Sequence, residues 1–506
     1  MQLYAGAAVT HDLARRSLSA LLWNYAGGGG KAVAQLLIQI VLARMLGPEV
    51  FGQYSAVLVV LGIGWLFADS GFGSALIQKH TLEESDVSQA LGWVLLLASI
   101  IASAIAGLAP WLADQFADQA LIPMFQASAV LVFLQALSNI SASLMRRELD
   151  MKRLQIIQLG AYLIGFGVVA MVLAYRGMGA WSLIIGFGVQ ALLSLAGGLA
   201  VVRHSLRPSL RGDTKLRDFG VKVLMVNLVN WAIENMDRFL VGKFWGVQAL
   251  GLYAVAFNLS RSPVAMLVGS FQAVAFSSAS RIQEDDARIC RGYLAVLSLL
   301  MLVLFPAFAV ISYEADAVIE LIYGADWRSA APLLAAFAIT TPIYALGAVT
   351  GPLLTARSAM GKEFNAQFLI LVVLMVGFVS LREAPLSSAA WIVPVAYALR
   401  FLFLLMALRS VLPIPLRSVF RALFGGILLA AAGLLAAAAS RFWVAEAVWG
   451  NLLPLFAGAT VVLLLMKAVG PKVIGSELRT LLGARQAESR MVRIFCRLLG
   501  LPDLKG

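Results

Sequence analysis

Apolar runs of roughly twenty residues recur from one end of this 506-residue chain to the other, and they constrain its fold more than any other feature. A run of that length matches the ~30 Å hydrocarbon core of a bilayer at 1.5 Å per helical residue. Composition agrees: hydrophobic residues are 61% and charged residues 13% of the chain, with a mean hydropathy of +0.87. A soluble domain carries about 25% charged residues, so half that supply leaves too little polar surface to cover a globule. Backbone groups inside a bilayer cannot hydrate, which restricts spanning segments to helices or closed barrels. No period-two alternation of the kind a barrel requires is present. The expectation is an all-α polytopic membrane protein.

Breaks at charge, Gly and Pro divide the chain into fourteen spans: 17–42, 54–77, 88–110, 121–144, 154–175, 180–202, 219–244, 253–276, 293–311, 331–354, 364–381, 388–407, 418–439 and 448–469. With residues 1–16 in the cytoplasm, alternate connectors hold 27 Lys and Arg on the inside and 6 on the outside. That bias follows the positive-inside rule and predicts an even number of spans with both termini cytoplasmic. It also accounts for the net charge of +12 without nucleic acid. The first apolar stretch is too long for a cleavable leader, and Arg15-Arg16 reads as its cytoplasmic anchor. The longest external connector, 312–330, leaves no room for an extramembrane domain. In the tail, 470–506, Met491, Val492, Ile494, Phe495, Leu498 and Leu499 oppose Arg490, Arg493 and Arg497 at helical spacing. This is the pattern of a basic amphipathic helix on an anionic leaflet.

Two cysteines and three histidines, without ligand spacing, point to no metal site, disulfide framework or cofactor. Gly27–Lys31 imitates a phosphate loop but lacks its first Gly, its Ser or Thr and a preceding strand. The dinucleotide-like runs at Gly165–Ala170 and Gly186–Ala191 lie inside apolar spans, where small residues serve helix packing.

A shift of 199 positions places Arg44, Gly47, Gly52 and Tyr54 on Lys243, Gly246, Gly251 and Tyr253. Six spans separate the copies, so both have the same orientation across the bilayer. The expected organisation is two parallel six-helix halves, 17–202 and 219–407, joined by a basic connector, 203–218, with two extra spans at 418–469. Transporters built from repeats bind substrate near mid-membrane between them.

Polar side chains within spans are costly, at about 2.5–3.5 kcal/mol for a charge at mid-span, and so mark candidate sites. In span one, Asn24, Gly28, Lys31, Gln35 and Gln39 form one helical stripe. In span seven, Asn227, Asn230, Glu234 and Arg238 form another, with Asp237 beside it; span eight adds Asn258 and Arg261, and span twelve Arg400. The amides read equally as interhelical glue and as cavity lining. An excess of Lys and Arg suits an anionic head group such as a diphosphate. The candidate substrate-binding residues are therefore Asn24, Lys31, Gln35, Asn227, Glu234, Arg238, Asn258, Arg261 and Arg400. Asp69, Glu234 and Asp237 are candidates for a coupling ion, although Asp69 also fits a cap beside Gly71 and Gly73, and Glu234 also fits an i,i+4 partner of Arg238.

Leu42-Ala-Arg-Met-Leu-Gly-Pro-Glu-Val-Phe-Gly-Gln-Tyr54, followed by Phe67-Ala-Asp-Ser-Gly-Phe-Gly-Ser-Ala-Leu-Ile-Gln78, resembles the bacterial polysaccharide transporter family of the multidrug/oligosaccharidyl-lipid/polysaccharide exporter superfamily. Length, span number and the two-half repeat extend the resemblance over most of the chain. It implies a Wzx-like flippase that moves an undecaprenyl-diphosphate-linked oligosaccharide across the bacterial inner membrane for capsule, O-antigen or exopolysaccharide assembly. A central cationic cavity with alternating access is implied too, and Lys31, Arg238 and Arg261 are the matching kinds of residue. The implied partners are the lipid-linked oligosaccharide, membrane lipids, and the polysaccharide polymerase and export machinery of such pathways. The fourteen spans also match lipid-linked peptidoglycan precursor flippases of the superfamily. A cation-coupled multidrug antiporter is the alternative that the acidic residues keep open. A polymerase or ligase would need a large external loop, and no connector here is long enough for one.

Overall fold

The computed structural model describes residues 2–68, 72–79, 81–203, 207–211, 214–281, 285–441 and 453–473. Every element among them is helical. Packing divides the chain into two compact units, Met1–Ala254 and Val255–Gly506. The division falls inside one long helical element rather than in the connector between the expected halves.

The first unit contains α1 (Gln2–Ala68), α2 (Phe72–Gln78), α3 (Glu84–Gln115), α4 (Leu121–Arg147), α5 (Met151–Tyr162), α6 (Met171–Tyr175) and α7 (Ala180–Val201), and α8 (Thr214–Arg281) enters it up to Ala254. A π-helical stretch, Leu163–Ala170, joins α5 to α6, and α4 packs on α1, α3 and α7. The second unit holds the rest of α8, then α9 (Asp286–Tyr313), α10 (Ala315–Tyr323), α11 (Ala331–Ala356), α12 (Met360–Ser380), α13 (Leu386–Ala389), α14 (Ile392–Arg409), α15 (Leu416–Arg441) and α16 (Leu453–Val473). Here α11 packs on α9 and α14, while α15 lies against α9 and α16.

Eleven described helices are long and apolar enough to cross a membrane. Two of them, Gly27–Gly62 and Glu234–Ala265, contain interior breaks, and each carries parts of two expected spans. The last expected span coincides with the shorter apolar helix Leu453–Lys467. The chain is thus a multi-pass membrane protein in which each of the fourteen expected spans has a helical counterpart.

The breaks fall on the repeat. Gly47 adopts φ 77°, ψ 173° and Gly246 adopts φ 83°, ψ 178°. That region of backbone space is essentially confined to glycine. No atom lies within 4 Å of a Cβ added at either position, so the demand there is conformational, not spatial. The next glycine of each copy answers to the opposite need. A Cβ on Gly52 would stand 1.8 Å from the Val247 carbonyl oxygen, and one on Gly251 would stand 2.0 Å from the Pro48 carbonyl oxygen. The two copies of the motif therefore interlock backbone to backbone, an approach open only to residues without side chains. The repeat read from spacing is a repeat in three dimensions.

The two dinucleotide-like runs pack on each other. A Cβ on Gly165 would meet the Gly186 carbonyl oxygen at 2.5 Å, and one on Gly186 would meet the Gly165 oxygen at 2.8 Å. The connector between the expected halves is held on α3: Ser209 N donates to Ser88 O at 2.9 Å, and Gly92 leaves room for the Ser209 carbonyl. α8 begins at Thr214, within that connector. The connector 312–330 is itself helical, with Arg328 paired to Glu320 at 2.8 Å. The amphipathic pattern of the tail lies outside the described residues.

Candidate functional site

In the first unit the candidate site centres on the polar stripe of α1. At 100° per residue, Gly28, Lys31 and Gln35 share one side of the helix, and Val33, Leu37 and Val41 lie on the other. The apolar three are exposed, at 60%, 58% and 44%, as lipid-facing residues should be. The polar side is open too: Gln35 is exposed, Lys31 is half-buried, and a Cβ on Gly28 would meet nothing within 4 Å. An exposed apolar side suits lipid, whereas a polar side left open on the same span is the arrangement expected of a residue face that lines a cavity. Two turns beyond Gln35 on the same side, Leu42 is buried at 2%, which closes the opening toward the Gly47 break.

One edge of the stripe is glue. Lys31 Nζ donates to Gln158 Oε1 at 3.3 Å, and Gly27 accommodates the Gln155 side chain, so α1 and α5 meet through polar and small residues. The Lys152 ammonium stands 5.3 Å from the centre of the Trp23 ring at the same interface. The α1–α5 contact and the open polar side are thus found on one helix, separated by a fraction of a turn.

Asp237 is buried before the Gly246 break. Its Oδ2 accepts from the Tyr253 hydroxyl at 2.8 Å and its Oδ1 from the Arg238 backbone N–H at 2.8 Å. Tyr253 is the tyrosine of the second motif copy, so this bond ties the two sides of the break together. Glu234 is exposed, while Arg238 and Asn258 are half-buried and have partners. The side chains of Asn24 and Asn227 lie outside the described residues, as does Asp69.

The second unit brings Arg261 and Arg400 together. Arg261 Nη1 donates to Tyr397 Oη at 2.9 Å, and its guanidinium lies 3.9 Å from the centre of the Tyr344 ring and 5.2 Å from that of Phe257. Tyr344 and Tyr397 meet edge to face at 6.0 Å. Aromatic faces and a phenol thus hold a cation that has no carboxylate within ion-pair distance among the described residues. Arg400, 7% exposed, stands one turn from Tyr397 on α14, and its Nη1 would lie 3.8 Å from a Cβ on Gly347, one turn from Tyr344 on α11. Its Nη2 lies 3.8 Å from Glu363 Oε1. Elsewhere α8 and α11 are joined by neutral bonds, such as Ser260 to Thr341 at 2.6 Å and Gln272 to the Ala348 carbonyl at 2.9 Å.

Tyr344, Tyr397 and Glu363 escaped the sequence reading. Tyr397 and Arg400 stand at i,i+3, and Tyr344, Gly347 and Gly351 at i,i+3,i+7, so two polar faces were there to be found. Glu363 sits one residue before the expected span 364–381 and reads as a helix-end acid, whereas the structure buries it partly against α11 and α14.

The architecture has solved counterparts. The inward closed conformation of lipid II flippase MurJ is similar over 90% of this chain and 100% of that one, with a TM-score of 0.73 at 13% identity. At that identity the likeness is one of fold. The teichuronic acid biosynthesis protein TuaB of Bacillus subtilis is 25% identical over 72% of this chain and 76% of its own length. The lipopolysaccharide biosynthesis protein WzxC of Escherichia coli is 23% identical over 65% of this chain and 68% of its own. A family model described as polysaccharide biosynthesis protein matches residues 41–332, more than half of the chain, from the first motif copy through the second and into α11. By that match the chain belongs to the polysaccharide biosynthesis protein family.

Proposed function

We propose that the protein is a flippase that moves an undecaprenyl-diphosphate-linked oligosaccharide from the cytoplasmic to the periplasmic leaflet of the bacterial inner membrane. The product would serve exopolysaccharide, capsule or O-antigen assembly. The observation that carries this reading is cationic chemistry set at wet or aromatic-lined faces within spans: Lys31 beside the open side of α1, and Arg261 with Arg400 against a single carboxylate. Cations suit a diphosphate, amides and tyrosines suit sugar hydroxyls and ring faces, and the prenyl chain can remain in lipid. The names of TuaB, WzxC and MurJ support a polysaccharide pathway and a lipid-linked cargo.

In this reading Asn24, Lys31, Gln35, Asn227, Glu234, Arg238, Asn258, Arg261 and Arg400 line the substrate path. Asp69, Glu234 and Asp237 are the candidates for a coupling cation. The repeats 17–202 and 219–407 rock about the site by alternating access, with both termini, the connector and the basic tail in the cytoplasm. A polymerase and export machinery would take the cargo on the far side.

The test is deletion of the gene in its host, followed by measurement of surface polysaccharide and of the leaflet that holds its diphosphate-linked precursor. Precursor trapped on the cytoplasmic side is expected, rescued by the intact gene and poorly by Lys31→Ala or Arg261→Ala. Normal polysaccharide with new sensitivity to cationic drugs would overturn the reading in favour of a multidrug antiporter.

A further inference from the structure

The Glu363–Arg400 pair is built unlike a structural ion pair. A tight pair is short and satisfies its remaining polar atoms, since burial of charges is otherwise too costly. Here the separation is 3.8 Å, and Glu363 Oε2 and Arg400 Nε make no hydrogen bond among the described residues. Yet the carboxylate has a made seat. A Cβ on Gly351 would stand 2.2 Å from Oε2 and 2.3 Å from Oε1, so only glycine at that turn of α11 lets the group rest there. One turn back, a Cβ on Gly347 would lie 3.8 Å from Arg400 Nη1. Charge at this place belongs to one repeat only, because Arg261 falls on Gly62 in the 199-residue alignment. The helix repeat therefore does not require it.

We propose that Glu363 is an internal counter-ion that stands in for the anionic group of the cargo while the carrier is empty. The inference rests on the flippase reading. Arg261 on α8 and Arg400 on α14, both beside Tyr344 and Tyr397, would leave two like charges within the membrane once the diphosphate departs, and a carrier must still reorient in that state. The carboxylate on Gly351 removes one of them at modest strength, and its loose geometry lets a diphosphate displace it. Glu363 is thus a positioning residue: it weakens substrate binding at Arg400 and speeds the return of the empty carrier. The charged and titratable groups facing it and its partner are Arg400 and Tyr397 on α14, Tyr344 on α11 and Arg261 on α8.

The experiment uses the full-length protein in nanodiscs, with farnesyl diphosphate as the probe in calorimetry, and the deletion strain as the measure of turnover. Glu363→Gln is expected to bind the probe about tenfold more tightly than wild type while restoring less surface polysaccharide. Gly351→Ala, which expels the carboxylate and keeps its charge, is expected to shift both in the same direction. Glu363→Asp should retain most of the turnover. Wild type that binds the probe, together with folded variants that bind it equally or more weakly, would overturn this inference alone. Wild type that fails to bind it would overturn the substrate reading and the inference together.

Discussion

The glycines at the two helix breaks permit a test in which backbone conformation is separated from space. At Gly47 and Gly246 the backbone occupies a region that costs a side-chain-bearing residue about 1–3 kcal/mol. No atom lies within 4 Å of the added methyl group, so no steric term enlarges or hides that cost. Gly47→Ala and Gly246→Ala should each lower stability by about 1–3 kcal/mol. The double variant should lose less than the sum, because both breaks support one interlock between Gly52 and Gly251 and the first substitution already loosens it. Gly107→Ala in α3 is the control: it is exposed, helical and equally free of neighbours, and should gain up to ~1 kcal/mol from helix propensity. Reversible SDS unfolding in bicelles, followed by tryptophan fluorescence, measures all four. Gly47→Ala within ~0.5 kcal/mol of Gly107→Ala would refute the argument that the break depends on glycine's conformational range.

Three further outcomes are expected. Tyr253→Phe removes the donor to the buried Asp237 carboxylate and should cost about 1.5–3 kcal/mol, with Asp237→Asn adding little to it in a double-mutant cycle. Arg147 donates to the Leu76, Ile77 and Lys79 carbonyls at the end of α2, so Arg147→Ala should loosen that end and speed tryptic cleavage at Lys79 in limited proteolysis. Gly92→Val should displace Ser209 from α3 and accelerate tryptic cleavage at Arg207 and Arg211, with little change in cleavage elsewhere.

Span number, helical class and the two-fold repeat were legible because each is written in local pattern: apolar length, charge parity and glycine spacing act within one or two neighbouring helices. The stripe on α1 was legible for the same reason, since 3.6-residue geometry puts Lys31 and Gln35 on one side whatever surrounds them. Which part of that stripe is glue was not, because Gln158 lies 127 residues away from Lys31 and enters only when α5 packs on α1. The unit boundary at Ala254 was hidden likewise: the Gly52–Gly251 interlock gathers the helix before the second break into the first unit, beyond any composition shift at the connector.

By itself the sequence determined a helical multi-pass chain with a duplicated plan, because bilayer solvation penalises any unpaired backbone and any unshielded charge in every possible packing. Tertiary structure alone decided which charges meet. Arg261, Tyr344, Glu363 and Arg400 stand on four different helices, and the approach of Arg261 to the Tyr344 ring at 3.9 Å and of Arg400 to Glu363 at 3.8 Å depends on where glycines such as Gly351 let those helices approach. Coulomb and hydrogen-bond energies fall off over a few ångströms, so the chemistry of the site belongs to the packing and not to the spacing along the chain.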